Sequence, residues 1–290
     1  MTSLPAGLVG RVHRSIDPLH SLGYFAPETQ AELVALGLKQ GRQCYVAGRA
    51  AAMGAVGAGV VTAVFYNFAP ALIARCVPSA WDAAAPVAVV AARRRAIDQA
   101  WRRLLGDDRE TGVGSAVFAE CAALTREAAT ACRPEGRPLH AAYAGLDWPQ
   151  EPHVAWWHAI TLLREHRGDG HCAALDRAGL SGLEALITHS ATGQGFVPEA
   201  ARRTRGWTEQ EWDDAAASLR GRGILGEGIA LTARGAALRT QVEADTDALA
   251  AGPWEHLGAD GTQRLVELAR PMSQRAVAAG AFPAGVFQTR

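Results

Sequence analysis

The stretch from Phe196 to Leu249 constrains the fold more than any other part of this 290-residue chain. A short helix signal from Pro198 leads to a turn at Gly206. Thr208 and Glu211 have the spacing of a capping box at the head of the next helical segment, which reaches Gly223. Ile224-Leu225, a Gly226-Glu227-Gly228 turn and Ile229 to Thr232 follow, and a last helix begins near Ala233. Helix, turn, second helix, two-stranded wing and helix is the winged-helix order. In a DNA reader the first turns of the second helix meet base edges and phosphates. Here those turns carry Glu209, Glu211, Asp213 and Asp214. The pattern predicts a fold and argues against the usual task of that fold.

The charge balance points the same way. The formal net charge is zero and the pI about 7.1, without the basic excess of a typical nucleic-acid binder. Residues 200 to 231 hold five arginines and five acids. The five cysteines form no Cys-x-x-Cys pair, which favours free thiols over a disulfide framework or a zinc ribbon. No charged and then apolar leader opens the sequence, so a cytoplasmic location is expected. Between Arg49 and Arg75 lie 25 uncharged residues, long enough to span a bilayer. The run is rich in Ala and Gly, including Gly54, Gly57 and Gly59. It is therefore read as a helix buried on all sides, with the glycines allowing close backbone approach, and not as a membrane span.

The expected fold class is mainly α, with an N-terminal helical domain (1–150) and a winged-helix domain (151–252) bearing a short β-wing. A C-terminal helix and tail (253–290) includes Phe282 and Phe287. The two prolines of Asp147-Trp-Pro-Gln-Glu-Pro152 mark the linker. In the helix beginning at Pro86, Val90, Ile97, Trp101 and Leu104 share an apolar face. Arg93, Arg94, Arg95, Arg102 and Arg103 read as a solvated basic face.

Five of the nine histidines fall between residues 153 and 189. His158 and Glu165 are seven apart and share a helical face. Gly168 is expected to end that helix and Asp169 to cap the next. His171 would then sit in a first turn, where the helix dipole keeps an imidazole neutral. His158 and His171 are the candidate acid/base groups, with Glu165 orienting one of them. Arg49 and Arg167 would hold an anionic substrate group, and Tyr24, Tyr66 and Asn67 would orient the substrate. The histidine spacings match no zinc signature. A metal or haem held through a histidine is left open, without a motif to support it, and the cofactor is unassigned. Gly54 to Gly59 is not a dinucleotide fingerprint, and no Walker loop or nucleophile elbow is present.

A resemblance rests on Tyr24-Phe-Ala-Pro-Glu28, Val46 to Ala50, Phe65 to Pro70, Glu151-Pro-His153, His158 to His171, Thr204 to Trp207, and Leu231-Thr232 with Gly235. These resemble an actinobacterial family commonly labelled helix-turn-helix or MarR-like. The resemblance implies a winged helix and carries no catalytic assignment. Two functions follow. One is a small-molecule protein, more an enzyme than a passive binder, with its pocket between the N-terminal helices and the helix starting near His153. It would have no specific nucleic-acid partner. The other is a MarR-like regulator that binds DNA as a homodimer, favoured by Arg202, Arg203 and Arg205.

Overall fold

The computed structural model describes residues 4–110 and 112–284; Phe287 lies outside them. The chain is mainly helical. In order, the helices are α1 (Leu8–Phe25), α2 (Pro27–Ala35), α3 (Arg42–Ala50), α4 (Ala58–Phe65), α5 (Pro70–Cys76), α6 (Ser79–Ala83), α7 (Pro86–Leu105) and α8 (Ala116–Thr130). Then come α9 (Pro138–Ala144), α10 (Pro152–Arg177), α11 (Gly182–Ser190), α12 (Pro198–Arg205), α13 (Glu209–Gly221), α14 (Ala233–Leu249) and α15 (Gly252–Ala278). Prolines open α2, α5, α7, α9 and α12, where the missing N–H would have had no helical partner.

Two compact units form, each from separated stretches. Unit 1 takes the chain up to Ala55, Ser79–Gly170 and Asp247–Phe282. Unit 2 takes Val56–Pro78 and His171–Thr246, and resumes at Pro283. In unit 1, α1 buries Leu8, Val12, Ile16 and Leu19 along one stripe, and α7 buries Val89, Ala96, Ile97, Trp101 and Leu104. Trp101, Phe118 and Trp156 meet edge-on with centroids 5.2 to 5.7 Å apart, an aromatic centre for this core. Near the end of the described chain, Phe282 packs against Phe25.

In unit 2 the helix-turn-helix is α12 and α13, joined through Gly206 at φ 78°. The Thr208–Glu211 capping box forms as the spacing predicts, and Ser181 with Glu184 makes a second one at the head of α11. Leu183, Leu186, Ile187, Trp212, Leu219 and Ile224 form its core. The Glu184 carboxylate also accepts from Ser218 Oγ (3.2 Å) and Arg222 Nη1 (3.0 Å), which ties α11 to the end of α13.

The two-stranded wing is not formed. Among the described residues there is no strand, and the segment closes with one antiparallel bridge between Leu225 and Leu231. Its first arm is only the buried pair Ile224-Leu225, between glycines, too short for a ladder. Gly226 N–H donates to Ala230 O (2.8 Å) and Thr232 N–H to Ile224 O (3.1 Å), so the hairpin survives without strands.

Two further expectations are corrected. The chain does not break at Gly168: α10 runs continuously through Gly168-Asp169-Gly170. The uncharged run is likewise not one helix buried on all sides. It divides into the end of α3, a short 3-10 turn, α4 and most of α5, and Val60 is 49% exposed. No single helix among the described residues is long and apolar enough to cross a membrane. Gly54, Gly57 and Gly59 permit no close approach either, since a Cβ at each would meet nothing within 4 Å.

The real close approaches lie elsewhere. At Gly182 an added Cβ would stand 1.9 Å from the carbonyl oxygen of Tyr66. Tyr66 itself has φ 57°, a strained value for a bulky residue, and its hydroxyl donates to Leu180 O at 2.7 Å. Trp207 Nε1 donates to Asn67 O (3.0 Å) and Ala69 N–H to Arg205 O (2.9 Å), fixing the 66–69 turn against the helix-turn-helix. Gly182→Ala should therefore cost at least about 1–3 kcal/mol in denaturant unfolding, because backbone must move. Gly59→Ala, exposed within α4, should instead stabilise by about 0.5–1 kcal/mol. Equal effects of the two substitutions would contradict this account of the packing.

Candidate functional site

Charged and polar side chains from five helices converge inside unit 1. Helix α1 supplies His20 and Tyr24, α3 supplies Arg49, α7 supplies Arg93, α9 supplies Tyr143, and α10 supplies Trp157, Arg164 and Glu165. Glu165 is fully buried and sits between two guanidiniums. Its Oε1 accepts from Arg49 Nε (3.3 Å) and Arg164 Nη1 (2.9 Å), and its Oε2 from Arg49 Nη2 (2.9 Å) and Arg164 Nη1 (2.9 Å). Burial alone would raise this carboxyl, but Arg164 and Arg49 outweigh it and hold it well below the usual carboxylate range. Arg164 also lies 3.8 Å from Asp17.

Among the described residues Arg93 has no carboxylate hydrogen-bonded to it. It is 4% exposed, and its Nη1 donates to Gly48 O (2.8 Å) and to the Tyr143 hydroxyl. Its guanidinium carbon lies 5.0 Å from the Trp157 ring centre, 5.7 Å from that of Tyr24 and 5.9 Å from that of Tyr143. Its Nη2 makes no hydrogen bond. The same is true of the Tyr24 hydroxyl and of both ring nitrogens of His20. His20 stacks on Trp157 at 5.6 Å and meets Tyr24 edge-on at 5.3 Å, so the unsatisfied groups share one place. Burial, and then Arg164, drive the His20 pKa far down, leaving a neutral ring. Burial raises Tyr24, which stays protonated.

Of the residues singled out in the sequence, Tyr24, Arg49 and Glu165 meet here. Glu165 serves the two arginines and is not hydrogen-bonded to a histidine. Arg167, also in unit 1, pairs with Asp247 at 2.6 Å. His158 has its own surroundings: it is buried, edge-on to Trp148 at 4.9 Å, and its Nε2 lacks a partner. His171, Tyr66 and Asn67 belong to unit 2, where His171 Nδ1 lies 2.8 Å from Thr246 Oγ1. His171 is in the last two turns of α10, not in a first turn, so no helix N-terminus bears on it. Asp169 does cap a helix, but a different one. Its Oδ2 accepts from the backbone N–H groups of Leu139 (3.1 Å) and His140 (2.9 Å) at the start of α9. Among the described residues no group of three or more His, Cys, Asp or Glu side chains is placed to hold a metal ion.

The sequence reading missed His20 and set Arg93 on a solvated face. The signal was available, since Arg93 is four residues from both Val89 and Ile97, on the stripe that α7 buries.

On α13, Glu209, Glu211, Asp213 and Asp214 are all exposed. Arg205 is drawn over the rings of Phe196 (4.5 Å) and Phe68 (4.7 Å).

Buried histidines give the fold a pH dependence. Burial, then Arg94, lowers His158 to about 4, and burial, then Arg137, lowers His166 to about 4. Burial raises Asp169 to about 6. For each histidine the unfolded state binds more protons than the folded one between pH 6.5 and 4. Its stabilising contribution is complete above 6.5 and lost on acidification, at about 1.4 kcal/mol per pH unit. Asp169 acts oppositely between about 6 and its unfolded pKa near 3.9, offsetting one histidine. Denaturant melts should show stability falling as pH drops from 6.5 to 4, with a shallower slope in His158→Asn. A pH-independent midpoint in this window would refute the assignment.

A family model described as a helix-turn-helix family covers residues 9–283. No curated protein and no solved structure matches the chain. The match takes in both the α12–α13 motif and the helices that build the buried cluster, and by its extent the chain belongs to this helix-turn-helix family.

Proposed function

We propose that this helix-turn-helix family member is a cytoplasmic small-molecule-binding protein whose ligand occupies the buried cluster around Tyr24 in unit 1. One observation carries the reading: His20, Tyr24 and Arg93 each present buried polar atoms without a hydrogen-bond partner at the same place. An unsatisfied buried polar group costs about 1–3 kcal/mol, and folded proteins rarely tolerate several together. A bound molecule would satisfy them. A neutral imidazole beside a protonated phenol can also relay a proton, which suits an enzyme; the reaction is unassigned.

The family match favours a second reading, a MarR-like regulator that binds DNA as a homodimer through α13. The charges oppose it. Across 56–78 and 171–246 there are nine arginines and ten carboxylates, and the exposed acids crowd the groove-facing end of α13. Carboxylates there repel phosphates, and Arg205 is already engaged with two aromatic rings.

Two measurements separate the readings. In a fluorescence assay at about 150 mM salt, duplexes from the protein's own promoter region should bind weakly and without sequence preference. Nanomolar, sequence-selective binding would replace the first reading with the second. In a thermal-shift screen of small metabolites, at least one compound should raise the melting temperature of the wild type. It should not do so for His20→Phe, which keeps the stack on Trp157 and removes both nitrogens. A screen in which every compound leaves the wild type unmoved would remove the small-molecule reading.

A further inference from the structure

Resting on that reading, we propose that the cluster binds a small organic carboxylate, whose oxygens accept from Arg93 Nη2, the Tyr24 hydroxyl and a ring N–H of His20. The argument is one of charge and of hydrogen-bonding capacity. The network contains three guanidiniums, those of the buried Arg49 and Arg93 and of the half-buried Arg164. Among the described residues the carboxylates paired with them are Glu165 and Asp17, both against Arg49 or Arg164, and Asp169 interacts with Arg49 at longer range. Both Glu165 oxygens are occupied by two donors each, so Glu165 has no capacity left for Arg93. The acceptors of Arg93 are a neutral carbonyl and a neutral phenol. Among the described residues Arg93 is therefore left without a carboxylate of its own in a buried place, where an unpaired charge is costly.

The unpartnered groups say what is missing. Arg93 Nη2 only donates, the Tyr24 hydroxyl can donate and accept, and a neutral His20 offers one donor and one acceptor. Donors thus outnumber acceptors beside the Arg93 cation. A monoanion that accepts three or four hydrogen bonds completes such a set, and a carboxylate has that charge and that capacity. A phosphate dianion would overcompensate it. The surroundings are the rings of Tyr24, Tyr143, Trp157 and His20, which suits an organic acid with an apolar body.

The test uses the full chain with acetate, benzoate, benzamide and inorganic phosphate as probes, followed by thermal shift and calorimetry, on wild type and Tyr24→Phe. Tyr24→Phe deletes only an unpartnered hydroxyl, so the free variant should melt at or above the wild-type temperature. At least one carboxylate should bind the wild type, with benzamide at least about tenfold weaker than benzoate and phosphate silent. Tyr24→Phe should weaken the carboxylate about tenfold. Arg93→Gln should abolish it; should that variant fail to fold, Tyr24→Phe still decides. If benzamide binds as well as benzoate and Tyr24→Phe weakens both, the site takes neutral ligands; the carboxylate assignment falls and the small-molecule reading stands. Binding of phosphate in place of the carboxylates also overturns the assignment. If all four probes are silent the carboxylate assignment falls, and the metabolite screen then decides the broader reading by itself.

Discussion

The buried carboxylate of Glu165 is the interaction on which unit 1 depends. Glu165 on α10 holds Arg49 of α3 and its neighbour Arg164 in one ion triad, with Glu165 and Arg49 buried and Arg164 half-buried. Taking three charges out of water is expensive, and such a triad need not add net stability over an apolar core. What it does is fix geometry. Glu165 and Arg49 can stay buried only while their partners are in place, and losing one partner of a buried pair typically costs about 3–5 kcal/mol. Helices α3 and α10 are thereby locked in one register. Tyr143 adds to the lock by donating to Arg49 O at 3.0 Å while accepting from Arg93. Arg93 is the member of this network that the triad leaves without a counter-charge.

What could be read in the sequence follows how local each determinant is. The Thr208–Glu211 capping box is written in four consecutive positions and forms as read. The turn at Gly206 is equally local, since its φ of 78° asks for glycine. The wing was over-read for a related reason. The turn residues are correct, but strand formation needs arms that extend beyond Ile224-Leu225, and the flanking glycines do not supply them. The site was half legible: Tyr24, Arg49 and Glu165 were picked out, whereas His20 and Arg93 were not. Those two are recognisable mainly by what surrounds them in three dimensions, although the α7 stripe gave a hint for Arg93.

The Gly168-Asp169-Gly170 segment shows why local chemistry misleads in a packed interior. Two glycines around an aspartate ordinarily mark a turn. Here each residue answers a tertiary demand inside a continuous helix. A Cβ at residue 170 would stand 2.1 Å from Arg137 Nη1, so the glycine makes room for a guanidinium that reaches His166 O and Leu249 O. Asp169 serves the N–H groups of α9, a helix about thirty residues earlier in the chain. The helix tolerates the propensity penalty, about 1 kcal/mol per glycine, because 26 residues of packing outweigh it.

The helix-turn-helix and the surface it presents are set by separate physical terms. Trp212, Ala216 and Leu219 on the inner face of α13 pack against α11, and the two capping boxes fix where both helices begin. None of these requires a basic outer face. The charge of the outer face is therefore independent of the fold, and here that face carries Glu209, Glu211, Asp213 and Asp214. Acids in a first turn also favour the helix itself, since they sit at the positive end of its dipole. Glu209 and Glu211, which oppose phosphate binding, thus also stabilise the start of α13. Membership of a helix-turn-helix family fits the α12–α13 scaffold of unit 2, while the buried polar atoms of Arg93, Tyr24 and His20 that lack a hydrogen-bond partner among the described residues lie in the interior of unit 1.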